Sequence, residues 1–453
     1  MSDLRDLSHP TAPDESYLDE MTRQTRARAH RAADWASEFT GAPDSSRTVI
    51  ADSLEAAQGE LTELLHTIHS LAETAYDEHD SVAEIASVLG ARGIDVDTGL
   101  YGVETTLRAT TGSGNGRTIA VLAEYDALPE IGHACGHNII ATAGVGAFLA
   151  LHALYEADAD SVPGTVVLLG TPAEEGHSGK EVMARAGAFD GLDAAIMVHG
   201  YGYDCADQVW LGRRLLRVTF SGIAAHASAQ PFMGRNALDA ANLFYQGLGL
   251  LRQQMPPISR LHAVITDGGT RPSIITESAT VQCYVRSKFP ETLKELSDRV
   301  EDAAKGAALM TGTGVEVDWD EHPPSLPVRT NSALTARWAE HEQTRGRSPL
   351  PGGVLDESIA ASTDFGNVSY RIPGIHPLIK TADAEVALHT REFAEAAKTP
   401  AAETPAAETA AADAAYGLAC TALDFLTDDA LAAEVVDEFA RDGGAIDVEN
   451  YFT

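Results

Sequence analysis

Apolar positions along this chain follow two rhythms. Between residues 50 and 74, Leu54, Leu61, Leu64, Leu65 and Ile68 recur at helical spacing, and residues 81–92 repeat the pattern. Residues 13–38, carrying Arg23, Arg26, Arg28 and Arg31, read as a charged surface helix. Short, nearly continuous apolar runs at 104–110, 118–123, 165–171 and 193–199 read as strands, with an apolar helix at 139–157 between the second and third. Strands of that kind between helices predict an α/β fold with a mostly parallel sheet sandwiched by helices.

The rhythm changes over 213–322. Strands are expected at 215–221, 260–266, 279–287 and 315–319, and helices at 236–254 and 291–310. The order β-α-β-β-α-β is that of a ferredoxin-like module, inserted into the α/β domain. Pro323, Pro324 and Pro327 mark the return crossing. The expected organisation is residues 1–212 and 323–453 as the two parts of one domain, with 213–322 as the insert. The low-complexity stretch 398–413 reads as a surface loop or spacer.

Composition narrows the function classes. A chain of 453 residues exceeds one ordinary core, in keeping with two domains. No apolar run is expected to reach the roughly 20 residues of a membrane helix, and the first residues have no apolar signal region. A cytoplasmic protein is expected, with no membrane partner. Cys135, Cys205, Cys283 and Cys420 show no disulfide-like spacing, which fits a reducing compartment. The formal net charge of -35 disfavours nucleic acid, whose phosphates need a basic face. It fits a solvated acidic surface or adaptation to high salt.

The chemistry concentrates where the parallel sheet would place it. Glu124 to His137 follow the run at 118–123. Glu174 and Glu175 follow the run at 165–170, and His199 ends the run at 193–198. Ligands of open α/β sheets bind beyond the carboxyl ends of the strands. Cys135, His137, Glu175, His199 and the late His389 offer thiolate, imidazole and carboxylate, a set that zinc or manganese accepts. Taken alone, a Cys-x-His pair reads equally as a buried cysteine beside a satisfied histidine, and a Glu-Glu pair as a solvated turn. Together at strand ends they suggest a hydrolytic metal site. One carboxylate would bind metal while its neighbour takes a proton from water activated by it.

The motifs Glu124-Tyr-Asp-Ala-Leu-Pro129, Gly132-His-Ala-Cys-Gly-His-Asn138, Pro172-Ala-Glu-Glu-Gly176 and Leu388-His-Thr390 with Glu392-Phe393 resemble those of the amidohydrolase branch of the aminoacylase and carboxypeptidase superfamily, the M-twenty metallopeptidases. The resemblance covers essentially the whole chain. Asn138 and the stretch Ser362-Thr-Asp-Phe-Gly-Asn-Val-Ser369 make it most similar to the aminobenzoyl-glutamate hydrolase and β-alanyl-lysine dipeptidase group. It implies a zinc-peptidase-like catalytic domain, with the insert as a lid and homodimerisation domain. It further implies two divalent ions per subunit, Zn2+ or Mn2+, held by Cys135, His137, Glu175, His199 and His389. Glu174 would be the general base, and Asp126 the carboxylate that orients a ligand imidazole. Glu124 stands where other branches carry a ligand histidine. His226 would stabilise the oxyanion, often in the partner's site; a strand-end surface histidine is its other reading. Asn236, Arg286, Ser362 and Thr363 would bind substrate. Asn236 reads equally as a helix N-cap, Arg286 as a surface ion pair, Ser362 and Thr363 as turn caps, and Asp126 as a plain turn residue.

The function implied is metal-dependent hydrolysis of the amide of an N-acyl or aminoacyl amino acid or a dipeptide, a small-molecule substrate with a free carboxylate on its leaving side. Two other readings stay in view. One is thiol catalysis by Cys135 with His133 or His137 as base, which leaves Glu174, Glu175, His199 and His389 unexplained. The other is a catalytically degenerate binding or scaffold protein, which the retention of Glu174 disfavours.

Overall fold

The structure is a computed structural model that describes residues 9–398 and 407–453. Three helices come first: α1 (Ser16–Ala29), α2 (Asp44–Leu71) and α3 (His79–Ala91). Strands β1 (Val96–Thr98), β2 (Leu107–Thr111) and β3 (Thr118–Ala123) follow, then α4 (His137–Ala157), β4 (Thr165–Gly170), α5 (Gly179–Arg185), β5 (Ala194–Ile196) and β6 (His199–Tyr201). The insert holds β7 (Gly212–Ser221), α6 (Ala237–Leu251), β8 (Arg260–Asp267), β9 (Ser278–Ser287), α7 (Pro290–Thr311) and β10 (Gly314–Trp319). The chain ends with α8 (Ser332–Thr344), α9 (Phe365–Ser369), β11 (Gly374–Ile375), β12 (Leu378–Lys380), α10 (Arg391–Ala396), α11 (Ala407–Thr427) and α12 (Asp429–Arg441).

The main sheet has the order β1-β2-β4-β3-β5-β11. Its inner pairs, β4 with β3, β3 with β5 and β5 with β11, are parallel, and β1 and β2 add antiparallel edges. The central strands β3, β4 and β5 are buried along almost their whole length, so both faces are covered, as their continuous apolar runs require. Helix α4 lies on β3 because small residues let it approach. A Cβ on Gly144 would stand 2.9 Å from the Leu122 carbonyl oxygen. Helices α2 and α11 cover α4. Leu64, Leu65 and Ile68 of α2 are fully buried, and each contributes about 1.5–3 kcal/mol by leaving water.

The insert's four strands form a separate antiparallel sheet in the order β10-β7-β9-β8, with α6 and α7 packed on it. The alternation of buried and exposed residues along β7 and β9 follows from one covered and one open face.

Four expectations need correction. The surface helix expected at 13–38 ends at Ala29. Beyond it the Trp35 backbone N–H donates to Gln343 (2.8 Å) and its indole N–H to the Pro349 carbonyl (2.8 Å), tertiary bonds that a continued helix would forfeit. The single strand at 193–199 is two strands in two sheets: β5 pairs with β3 and β11, whereas β6 pairs in parallel with β12. The spacer at 398–413 lies partly outside the described residues, and from Ala407 onward it is helix, with Ala407, Ala410 and Ala411 buried. Finally, α4 is long and apolar enough to cross a membrane by length and composition, but 83% of its most apolar window is packed inside the protein.

Candidate active site

Beyond Ala123, at the end of β3, the chain leaves the sheet and turns back into α4. The reversal depends on Gly136, whose φ of 81° is open to glycine and strained for other residues. It places Cys135 just before the helix and His137 in its first turn. His137 is fully buried, and its Nδ1 donates to Asp126 at 3.0 Å. That bond leaves Nε2 as the free lone pair. The other Asp126 oxygen accepts the Glu175 backbone N–H at 2.9 Å, so one carboxylate ties together the ends of β3 and β4.

The second loop is held as firmly. Ala173 sits in the left-handed region at φ 60°, a strain of about 1–2 kcal/mol for a residue with a Cβ. Its N–H donates to Glu78 at 2.9 Å, and the other Glu78 oxygen accepts from Thr105 at 2.8 Å. Burial, with the charge of Asp126 added, raises the Glu78 pKa to about 7. From this turn Glu174 and Glu175 reach the centre of the site.

His199 opens β6 and is buried. Its Nδ1 lies 2.7 Å from the Gly200 carbonyl, which places the proton there and turns Nε2 toward the Cys135 sulfur, 3.4 Å away. Burial, then the charge of His137, lowers its pKa to about 3. His389 also has positive φ (61°), its N–H donates to the Ala134 carbonyl at 2.9 Å, and its side chain is 53% exposed. Its Nε2 lies 3.5 Å from Glu175.

These side chains form overlapping groups with all potential ligand atoms within 4.8 Å of one another: Cys135, His137 and His199; Cys135, Glu175 and His389; His137, Glu174 and Glu175. The fit to a divalent cation rests on what these atoms lack. His137 Nε2 and Glu175 Oε1 are buried with no hydrogen-bond partner, a state that costs about 1–3 kcal/mol per group when nothing else satisfies it. Burial opposes charge on His137, yet Asp126 and Glu124 outweigh it and raise its pKa well above the usual histidine range. The same negative potential favours a cation. Burial and the charge of Glu175 push Glu174 well above the ordinary carboxylate range, which suits a group that takes up a proton. Burial and Glu175 likewise push the Cys135 thiol up, which argues against a free thiolate nucleophile.

Three charged residues that the sequence reading assigned no role stand behind this cluster. Lys180 is fully buried, and its ammonium contacts Glu124 and, at 2.7 Å, Asp364. Glu124, at the position of a ligand histidine in other branches, thus pairs with a lysine, and its second oxygen lies 3.4 Å from His137 Nε2. Asp364 sits within the motif at 362–369, and Lys180 follows Glu174 by six positions, one of only six lysines in the chain. Those were the available signals.

The expected substrate residues divide. Arg286, on β9, is half-buried and forms no salt bridge among the described residues. Its Nη1 donates to Ser362 at 3.2 Å, and Arg286 and Arg213 both lie 5.4 Å from the Tyr284 ring. Burial, then the charge of Arg213, lowers its pKa. Thr363 is buried, and its hydroxyl accepts the Phe365 N–H at 3.2 Å, a turn cap. Asn236 caps α6 by accepting the Leu238 N–H at 3.1 Å. His226 is exposed on the insert, where its Nδ1 accepts N–H groups of Ser228 and Ala229 at 3.3 and 3.1 Å. Among the described residues it makes no contact with the cluster of its own chain.

Comparison with known proteins gives a consistent picture. The family model described as peptidase family M20/M25/M40 matches residues 120–443. The Xaa-Arg dipeptidase of Mus musculus is 36% identical over 398 residues, spanning 86% of this chain and 91% of that protein. One of the subunits of the p-aminobenzoyl-glutamate hydrolase of Escherichia coli (strain K12) is 30% identical over 422 residues, spanning 77% of this chain and 86% of that subunit. The fold is shared with the YXEP protein of Bacillus subtilis, a dinuclear metal binding peptidase from the M20 family: TM-score 0.62, 19% identity, 82% of this chain and 99% of that one.

Proposed function

The chain belongs to the peptidase family M20/M25/M40 and is a metal-dependent hydrolase of amide bonds, and within that activity we propose that it cleaves dipeptides or N-acyl amino acids whose leaving residue carries a free carboxylate. The observation that carries this reading is the Cys135, His137, Glu174, Glu175, His199 and His389 cluster together with a half-buried Arg286 that donates to Ser362 and forms no salt bridge among the described residues. The names of the two curated relatives, a dipeptidase and an aminobenzoyl-glutamate hydrolase, support the substrate class.

In this reading Cys135, His137, Glu175, His199 and His389 hold two divalent ions, Zn2+ or Mn2+. Cys135 is common to two of the ligand groups, which supports a dinuclear centre. Bound there, the cations supply Lewis acidity to the scissile carbonyl and lower the pKa of water. Arg286 grips the leaving carboxylate with its planar fork, with Ser362 steadying the guanidinium. Glu174 accepts a proton from the attacking water as the new C–O bond forms, and delivers it to the leaving nitrogen as the C–N bond breaks. Asp126 keeps His137 in the Nδ1–H tautomer throughout. His226, exposed on the insert and without a hydrogen bond to its own chain's cluster among the described residues, donates to the oxyanion of the partner in a homodimer built through the insert. The unpaired edge of β8, with Val264 exposed, supports that assembly. Four free, buried cysteines support a reducing compartment, and the cytoplasm is the location we propose.

The test is chelation followed by titration with Zn2+ or Mn2+, against dipeptides and N-acyl amino acids with and without a free terminal carboxylate. Activity that returns with metal, and that is lost on amidated substrates for wild type but not additionally for Arg286→Met, supports the proposal. Equal turnover of free and amidated substrates by wild type would refute the clamp.

A further inference from the structure

A cavity of about 410 Å³ lies between α1 and the loops that lead into the candidate active site. Its walls include Leu18 and Met21 of α1, Tyr201, Leu355, Ile359 and Leu388. We propose that it is the subsite for the acyl-side group of the substrate, and that it takes an uncharged apolar or aromatic group. This rests on the amide-hydrolase reading above and extends it.

Three observations carry the assignment. The first is continuity. The lining segment 201–203 follows His199, the segment 384–388 runs directly into His389, and Ala361 precedes Ser362. His199 and Tyr201, two apart on β6, project to the same face of that strand. The lining segments therefore adjoin His199, Ser362 and His389 along the chain. With Arg286 and Ser362 given to the leaving carboxylate, the cavity is assigned to the acyl component.

The second is charge. Each of the two carboxylates in the lining has a contact of its own. Asp356 accepts the Ser358 N–H at 2.9 Å, and Glu385 lies 3.6 Å from Arg26. The remaining wall is largely aliphatic and aromatic, which favours an apolar group. The volume falls within the range of pockets that enclose small organic ligands.

The third is access. Helix α1 closes one side of the cavity through few bonds: Arg28 reaches the Val354 carbonyl at 3.4 Å, and the Ser358 hydroxyl contacts the Met21 sulfur at 3.7 Å. Leu18 remains 58% exposed while lining the space, so the cavity opens to solvent along the helix.

The test uses the full-length, metal-loaded enzyme and four dipeptides with the same leaving residue and Gly, Ala, Leu or Phe on the acyl side. In wild type, kcat/KM rises from Gly to Phe by ~tenfold or more, as filling a hydrophobic pocket predicts. Met21→Trp and Ile359→Trp, which fill the cavity from two different segments of its lining, lower the Phe-to-Gly ratio by ~tenfold or more. Met21→Ala leaves the ratio high and extends turnover to a naphthyl-alanine substrate. The ratio is internal to each preparation, so partial misfolding does not move it. An unchanged ratio in both tryptophan variants, or a wild type that favours Gly, overturns the subsite. Absence of metal-dependent turnover of all four dipeptides in wild type overturns the hydrolase reading instead, a distinct result.

Discussion

Replacing Lys180 by Met tests whether the site's excess negative charge is neutralised from behind. Lys180 is fully buried between Glu124 and Asp364. At the 2.7 Å separation from Asp364 and an effective dielectric constant of about 20, the gross attraction is roughly 6 kcal/mol. Desolvation of both ions offsets part of it, and breaking a buried pair by removing one partner typically costs about 3–5 kcal/mol. That is a large fraction of the roughly 5–15 kcal/mol that stabilises an ordinary domain. Burial opposes the lysine's charge, but Asp364 and Glu124 outweigh it and raise its pKa above the ordinary lysine range. A raised pKa contributes stability below the unfolded value, lost only as pH rises through the folded one, so Lys180 stays charged across the working range. The assay is urea unfolding at pH 7 of wild type, Lys180→Met, Asp364→Asn and the double variant. Lys180→Met is expected to lose about 3–5 kcal/mol, and the double variant to lose less than the two single losses added, because one of the two stranded carboxylates is gone. A loss below about 1 kcal/mol for Lys180→Met, or strict additivity, would refute the reasoning.

Other consequences can be measured separately. Asp126→Asn keeps the shape but removes the carboxylate that orients His137. We expect metal affinity, read by competition with a chelator, to fall about 10–100-fold, and an unchanged affinity would remove Asp126 from its proposed role. Glu78 is raised by burial to about 7, against about 4.3 in an unfolded chain. A raised folded pKa makes its contribution to stability full below the unfolded value and lost as pH climbs toward 7, by about 4 kcal/mol in all. Urea melts at pH 5 and pH 8 should show that slope in wild type and its loss in Glu78→Gln. If active sites are shared across a dimer, mixing inactive Glu174→Ala with inactive His226→Ala should restore up to about a quarter of wild-type activity once subunits exchange; no recovery after verified exchange would place His226 outside the partner's site.

What could be read from the residues, and what could not, follows from the range of the interactions involved. The strand ends announced themselves because their apolar runs are local, because Glu174, Glu175 and His199 lie within a few residues of one, and because Cys135 and His137 lie in the connection from β3 to α4. The amide-hydrolase family read from those motifs is borne out by the family match and by curated relatives that cover most of the chain. The support of the site was not legible, since it is built from long-range partners. Glu78 meets Ala173 across 95 positions, and Lys180 meets Asp364 across 184. No periodicity pairs such residues, and a lysine in a short helix looks solvent-facing until the fold closes over it. The break between β5 and β6 escaped for the same reason. Whether residues 193–199 run as one strand or two is decided by β11 and β12, nearly two hundred residues later, which pair with the two halves in different sheets. That break has a chemical consequence. It frees His199 from the central sheet and turns Nε2 toward Cys135, so the feature least visible in the sequence helps to bring the ligand set together.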